Sequence, residues 1–161
     1  MSFLEKIVRW QDLAEWRAEL RRTGTTLVVT NGCFDLLHLG HVTYLENARC
    51  LGQALLVGLN SDASVRQLKG DGRPVNPEQD RAGVLAAVES VSAVSIFNEK
   101  SAAGFLAHAQ PDIYVKGGDY TLETIDQEER RIVEASGGRI VLLPFLPGKS
   151  TSGLLKKIAS L

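Results

Sequence analysis

Short runs of apolar residues, without polar interruption, alternate with helical stretches along most of this chain. The first run, Thr26 to Thr30, is β-branched and apolar throughout, which is typical of a strand buried on both faces. Four further strands are predicted at residues 54–59, 91–97, 112–116 and 139–143. Because such strands belong to sheets covered by helices on each side, the alternation predicts an α/β fold. We expect a Rossmann-like doubly wound sheet of about five parallel strands with helices on both faces.

The segments between these strands carry helical patterns and residues that begin or end helices. Asn31-Gly32 is predicted to turn the chain after the first strand, and Gly52 to end a helix that covers residues 39–51. Other helices are predicted at residues 62–68, 77–89, 101–109, 124–135 and 151–159, the last capped by Ser150 or Thr151. Before the first strand, the pattern indicates one or two short helices. We divide the chain into a helical leader, residues 1–24, and a domain, residues 25–161.

Composition limits the partners and the compartment. The chain has 161 residues, the size of one globular domain, and a formal net charge of -1. This charge favours neither nucleic acid nor an anionic membrane, so any phosphate site must be local. Two cysteines cannot supply a disulfide framework, and acidic residues interrupt the first 20 positions, unlike a signal peptide. We expect a cytoplasmic protein.

The segment His38-Leu39-Gly40-His41 is the strongest candidate site. Ligands of open α/β sheets bind beyond the carboxyl ends of the strands, and this segment follows the first strand and begins a helix. The first turn of a helix offers unpaired N–H groups and the positive end of the helix dipole. Two imidazoles three residues apart add hydrogen-bond donors, and Gly40 would let a phosphate approach the backbone. An anion site is predicted here.

Other phosphate and nucleophile motifs do not match this sequence. Gly148-Lys149-Ser150 has the ending of a P-loop, but the first glycine of that motif would fall at Leu143. No strand is followed by G-x-G-x-x-G, and the sequence contains no G-x-S-x-G elbow. The His38–His41 segment therefore remains the candidate phosphate site of this sequence.

Several motifs together resemble the cytidylyltransferase-like nucleotidyltransferases. The segment from Thr30 to His41 carries the first resemblance. Further matching segments are Asn60–Val65, Leu68–Gly70, Arg73–Asn76, Val115–Tyr120 and Ser150–Ser152, and these are similar to the heptose 1-phosphate adenylyltransferase branch. The resemblance covers residues 25–161. Since many relatives join this unit to a sugar kinase and only a short leader precedes it here, we expect the stand-alone form.

The resemblance implies a reaction and its substrates. The phosphate of D-glycero-β-D-manno-heptose 1-phosphate would attack the α-phosphorus of ATP, giving ADP-heptose and pyrophosphate for lipopolysaccharide core synthesis. A phosphomonoester has a second pKa of about 6, so this nucleophile needs no general base. Alignment and charge stabilisation would then suffice for catalysis. Two alternatives remain open: a cytidylyltransferase acting on glycerol 3-phosphate or a similar alcohol phosphate, and a non-catalytic nucleotide-sensing module.

The resemblance also implies roles for individual residues. His38, His41 and Lys69 would be catalytic, with Lys69 closing on the phosphates from a mobile loop. Nucleotide-binding positions would be Cys33, Phe34, His38, Gly40, His41, Lys116, Gly117, Gly118, Asp119, Ser150, Thr151 and Ser152, with the base beside the two adjacent glycines. Sugar-phosphate-binding positions would be Asp35, Asp62, Lys69, Arg73 and Arg81. The alternative for Asp35 and Asp62 is loop capping, and for Arg73 and Arg81 an ordinary ion pair.

Metal and assembly are also expectations at this level. Mg²⁺ is expected on the ATP phosphates, with no metal ligands from the protein, since magnesium is usually held by few carboxylates and by phosphate oxygens. A homodimer is expected because twofold assemblies are the commonest. The sequence alone leaves open the preference between ATP and CTP, the sugar and its anomer, the order of binding and the role of the leader.

Overall fold

The fold is that of a computed structural model, which describes residues 2–161. Within that range the chain forms one parallel sheet of five strands, with seven α-helices and two 3-10 helices. The strands are β1 Leu27–Gly32, β2 Ala54–Asn60, β3 Ala93–Phe97, β4 Ile113–Gly117 and β5 Arg139–Leu143. The helices are α1 Leu13–Arg22, α2 Leu39–Arg49, α3 Asp62–Lys69, α4 Glu78–Ala86, α5 Ala103–Ala109, α6 Gln127–Ala135 and α7 Thr151–Ala159. The predicted fold class is confirmed.

The order of the strands places a crevice beside β1. The sheet runs β3-β2-β1-β4-β5, and each neighbouring pair is parallel. The chain therefore moves outward from β1 through β2 to β3 and then crosses to β4 on the other side of β1. This reversal is the switch point at which open α/β sheets bind ligands, and it lies beyond the carboxyl ends of β1 and β4.

The core lies on both faces of the sheet. Along β2, Leu55 and Val57 belong to one buried cluster, while Leu56 between them belongs to the other. All three side chains are fully buried. Successive residues of a strand point to opposite faces, so a strand covered on both sides has to be apolar at every position, as the sequence pattern indicated.

Two predicted boundaries were wrong near the site. β1 continues through Asn31 and Gly32, which pair with Gly58 and Leu59 of β2, so the turn predicted there begins only at Cys33. Pairing with a neighbouring strand is a tertiary effect that overrides the local preference of Asn-Gly for a turn. α3 includes Lys69, which was predicted to lie in a loop; the helix ends at Gly70, whose φ is 89°.

The leader packs into the same core as the rest of the chain. The N–H of Val8 donates to the carbonyl of Val94 in β3 at 2.8 Å, and Lys6 Nζ donates to the carbonyl of Val91 at 2.8 Å. Leu13 is fully buried in the cluster that contains Phe105 of α5. Between residues 2 and 161, no helix is both long enough and apolar enough to cross a membrane.

Candidate active site

A cavity of about 560 Å³ occupies the crevice beside β1 and β4. The loops that follow β1, β3, β4 and β5 contribute to its lining, together with Asn60 at the carboxyl end of β2, and this is the edge at which open α/β sheets bind ligands. Of the predicted site residues, the cavity brings together Cys33, Phe34, Asp35, His38, Gly40, His41, Lys69, Arg73, Lys116, Gly117, Ser150, Thr151 and Ser152. It does not include Asp62, Arg81, Gly118 or Asp119 in its lining.

His38 and His41 form a stacked pair at the start of α2. His38 is the extended residue just before the helix, and His41 lies in its first turn. Their ring centroids are 3.9 Å apart and the ring planes differ by 23°. The Nδ1 atoms of both rings are buried without a hydrogen-bond partner among the described residues. Both rings line the cavity, so each brings an unsatisfied ring nitrogen to its wall.

Both histidines are held neutral. Burial, and then the neighbouring His38, lower the pKa of His41 to about 4, although the carbonyl of Leu36 acts in the opposite direction. Burial and then the charge of Lys149 lower the pKa of His38. A neutral imidazole carries one N–H donor, so near neutral pH each ring can donate to an anion without first taking up a proton.

Gly40 accommodates the ring of His38. A Cβ atom at Gly40 would lie 2.9 Å from Nδ1 and Cε1 of His38 and 3.0 Å from Cβ of Lys149. These separations are too short for carbon atoms in contact, so only glycine lets the ring lie over the first turn of α2. Gly40 therefore makes room for the ring of His38. The predicted role of Gly40, to let a phosphate approach the backbone, is a separate one.

The cavity has an excess of positive charge. Its lining includes five basic side chains, Lys69, Arg73, Lys100, Lys116 and Lys149, and two acidic ones, Asp35 and Glu129. Arg73 pairs with Asp35 and Lys116 pairs with Glu129. Across residues 2–161, the other three lysines make no salt bridge. A protein of net charge -1 therefore concentrates unneutralised positive charge in this cavity, which suits a polyphosphate.

The carboxylate of Asp35 holds a loop in place at the cavity wall. Its carboxylate is 1% exposed and accepts hydrogen bonds from Arg73 Nε at 2.8 Å and from the N–H groups of Val75 and Asn76. Burial alone would raise the pKa of Asp35, but the two backbone donors and the Arg73 guanidinium together lower it. These hydrogen bonds fit the loop-capping alternative for Asp35, and its assignment to the sugar phosphate stays a prediction.

Arg81 also has a structural role and does not reach the cavity. Its side chain is fully buried, and its guanidinium donates to the carbonyls of Cys33, Asn60 and Asn76 and to Asp62 Oδ1, at 2.7–2.9 Å. All three guanidinium nitrogens are therefore engaged within the protein. The assignment of Arg81 and Asp62 to the sugar phosphate is corrected: the pair fastens α4 to the ends of β1 and β2.

The glycines expected to meet the base are in contact with a protein side chain. A Cβ atom at Gly117 would collide with the ring of Phe145, and one at Gly118 would lie 3.0 Å from that ring. Gly117 lines the cavity together with Phe145, whereas Gly118 and Asp119 do not. The ring beside these glycines belongs to Phe145, in the loop that follows β5, and their contact with the base stays a prediction.

Glu129 organises the side of the cavity near β4. Its side chain is 6% exposed and accepts hydrogen bonds from the Ala102 N–H at 2.9 Å and the Tyr114 hydroxyl at 2.8 Å, with Lys116 Nζ at 3.4 Å. Burial, and then the charge of Glu129, raise the pKa of Tyr114 well above its ordinary value, so Tyr114 remains a donor. The Tyr114 hydroxyl also lies 2.6 Å from Asn31 Oδ1. This network fixes Lys116 at the cavity wall.

The start of α7 lines the cavity beside the histidine segment. Ser150 Oγ accepts from the N–H of Gly153 at 3.0 Å and so caps the helix, as predicted. Thr151 Oγ1 donates to the carbonyl of Leu36 at 3.2 Å, which fastens α7 to the loop before the histidines. Two helix N-termini, those of α2 and α7, therefore face one cavity, and each carries partial positive charge.

The carboxylates around the cavity are already in use. Within the described chain, no group of three or more His, Cys, Asp or Glu side chains is arranged to hold a metal ion. Asp35 and Glu129 are both committed to hydrogen bonds within the protein. This donor set fits a Mg²⁺ ion that is coordinated mainly by the oxygens of a bound polyphosphate and by water.

Several lining residues were not predicted from the sequence. Asn31, Tyr44, Lys100, Glu129, Phe145 and Lys149 all line the cavity. Three of them, Lys100, Phe145 and Lys149, lie in loops that follow strands, so their place in the sequence could have identified them as site residues. Glu129 could not be identified in this way. It is one of three acidic residues between 126 and 129, and its burial depends on how α6 packs.

Comparison with known proteins identifies one family and several similar proteins that share the name HldE. The family model described as cytidylyltransferase-like matches residues 29–154. The bifunctional protein HldE of Syntrophotalea carbinolica is 50% identical over 138 residues, covering 86% of this chain and 28% of that protein. The HldE protein of Citrifermentans bemidjiense is 48% identical over 155 residues, covering 96% and 31%. The chain therefore spans less than a third of the length of these relatives.

Solved structures share the fold. The crystal structure of the lipopolysaccharide core biosynthesis protein from Thermoplasma volcanium superposes with a TM-score of 0.63 at 25% identity, covering 76% of this chain and 98% of that one. The pantoate-β-alanine ligase from Francisella tularensis superposes with a TM-score of 0.59 at 12% identity, covering 91% and 68%. At that identity the second structure supports the fold alone.

Proposed function

Since the chain belongs to the cytidylyltransferase-like family, we propose that it transfers AMP from ATP to D-glycero-β-D-manno-heptose 1-phosphate, releasing pyrophosphate. The observation that carries the proposal is the stacked pair of His38 and His41 at the start of α2, in a cavity lined by three unpaired lysines. The sugar is supported by the heptose-type segments of the sequence. A neighbouring structure that is named for lipopolysaccharide core biosynthesis also supports it.

The reaction is a direct displacement. An oxygen of the sugar phosphate forms a bond to the α-phosphorus of ATP, the bond from that phosphorus to the bridging oxygen of the β-phosphate breaks, and pyrophosphate leaves with the electron pair. With a second pKa of about 6, the sugar phosphate is already ionised near neutral pH. This explains why the cavity needs no base positioned to activate the nucleophile; the protein has to align two anions that repel each other.

The residues of the cavity supply donors and positive charge for that alignment. The neutral rings of His38 and His41 donate hydrogen bonds to phosphate oxygens, where negative charge increases in the transition state. The N-termini of α2 and α7 add backbone donors. Lys69, Lys100 and Lys149 offset the charge of the triphosphate and the sugar phosphate. Lys69, at the end of α3 beside Gly70, is placed to move when substrate enters.

Mg²⁺ is proposed as the cofactor, carried on the triphosphate. When bound it neutralises phosphate charge and orients the leaving pyrophosphate. We also propose that the enzyme is a cytoplasmic homodimer, on the grounds that the reaction consumes ATP and that twofold assemblies are the commonest. Sedimentation equilibrium measures the assembly directly, and a monomer at all concentrations would contradict it.

Pyrophosphate release over a panel of substrates tests the proposed function. The wild-type chain is assayed with ATP or CTP, each combined with heptose 1-phosphate or glycerol 3-phosphate. Turnover is expected with ATP and heptose 1-phosphate. Turnover only with CTP and glycerol 3-phosphate would identify an alcohol-phosphate cytidylyltransferase instead, and tight nucleotide binding without any turnover would identify a sensing module.

A further inference from the structure

The ring of Phe145 packs against the backbone of two glycines and against one other side chain. It contacts Gly117 and Gly118 so closely that a Cβ atom at either position would collide with it or press against it. Its other neighbour is Tyr44, whose ring meets it edge to face with centroids 5.9 Å apart and planes at 68°. Tyr44 is buried and fixed by hydrogen bonds to Thr30 Oγ1 and the Val115 carbonyl. The support behind Phe145 is therefore rigid.

The opposite side of the same ring is open. Phe145 is 57% exposed although its ring lines the cavity. Leaving so much aromatic surface in contact with water is unfavourable, and core packing does not require it, since Phe145 lies outside both buried clusters. An aromatic ring with a fixed back and an open side in a ligand cavity is suited to stack on another flat ring.

The loop that carries Phe145 also reaches the phosphate end of the cavity. Lys149, four residues later, lies against Gly40 and lowers the pKa of His38 by its charge. One loop thus borders both the proposed triphosphate site and the exposed ring. Of the two proposed substrates only the nucleotide contains a flat aromatic group, because a heptose ring is puckered and covered with hydroxyls.

We propose that Phe145 is the platform on which the nucleobase of the substrate stacks. The inference rests on the proposed function and extends it by assigning a base-binding residue. Every nucleobase has a π face, so stacking on Phe145 sets the affinity for a nucleotide without selecting the base. Gly117 and Gly118 act through Phe145 in this arrangement, since their missing side chains hold its ring in place.

Binding of ATP and of inorganic tripolyphosphate to Phe145 variants tests the platform by calorimetry. Tripolyphosphate has the phosphates of ATP without the base, so it reports on the phosphate site alone. Phe145→Leu keeps apolar bulk without the π face and is expected to weaken ATP binding by about 10-fold, the effect of losing one stacked base. Binding of tripolyphosphate should stay within about 2-fold. Phe145→Tyr keeps the ring and should retain the affinity for ATP.

A matched control and a second nucleotide separate the possible outcomes. Ile158→Ala truncates a side chain with 59% exposure on α7, away from the cavity, and should leave both affinities unchanged. Unchanged or tighter ATP binding by Phe145→Leu, equal losses for ATP and tripolyphosphate, or a loss in Phe145→Tyr as large as in Phe145→Leu would each overturn the platform. If wild-type turnover shows CTP to be the substrate, the proposed function fails, whereas a selective loss of CTP affinity in Phe145→Leu still supports stacking.

Discussion

His38 and His41 are half-buried residues of the cavity wall, and Nδ1 of each ring has no hydrogen-bond partner among the described residues. Removing either ring should lower kcat by about 10²-fold, which is typical for losing one donor to a transition-state oxygen. His38→Ala and His41→Ala are compared with wild type in the pyrophosphate assay, and circular dichroism checks that they fold. An unchanged kcat in both variants would remove them from the reaction.

Acid should destabilise the protein through His41. Its pKa is about 4 in the folded chain, below the ordinary value of 6.5, so the unfolded chain takes up the proton first as the pH falls. The free energy of unfolding should therefore decrease on going from about pH 7 to about pH 5. In His41→Gln this decrease should be smaller, as measured by urea denaturation at both pH values. An equal decrease in the variant would mean that other groups cause the acid sensitivity.

At the scale of elements, Arg81 connects α4 to the carboxyl ends of two strands. Arg81→Met removes a fully buried guanidinium and leaves three carbonyls and the carboxylate of Asp62 without their donor, so we expect a loss of about 3–5 kcal/mol in the free energy of unfolding. Arg22→Met is the control: that arginine is 72% exposed, and its solvent-screened pair with Glu19 should contribute little to stability. Chemical denaturation compares the two, and similar small losses would contradict the role of Arg81.

Elements were predictable where a local signal set them. α7 begins and ends as predicted, because Ser150 caps it locally and no distant contact is needed to define it. The end of β1 was not predictable, because Asn31 and Gly32 remain extended only through pairing with β2. Phe145 shows the same limit at the site: its loop was identified, but its contact with Gly117 depends on how β5 lies beside β4.

At the scale of the whole molecule, the leader should unfold together with the sheet. Leu13 of α1 is fully buried against α5, so Leu13→Ala should cost about 2–5 kcal/mol. Leu4→Ala, also in the leader but with 56% exposure, should change stability by less than about 0.5 kcal/mol. Urea transitions are followed by fluorescence of Trp10 and Trp16 and by circular dichroism.

The two signals should shift together in Leu13→Ala, because the tryptophans report on the leader and circular dichroism on the whole chain. A shift in fluorescence alone would show that the leader unfolds as a separate unit.

The sequence by itself determined the fold class and the edge of the sheet at which the cavity lies. Strands buried on both faces must be apolar at every position, and ligands of such sheets bind at the carboxyl ends, so both are visible in the order of residues. Only the tertiary structure decided which polar residues remain available to a ligand. Arg81 and Arg73 look alike in sequence, yet the first is fully buried and the second lines the cavity. Availability depends on which distant groups a side chain meets after packing, and a local pattern of residues does not encode that.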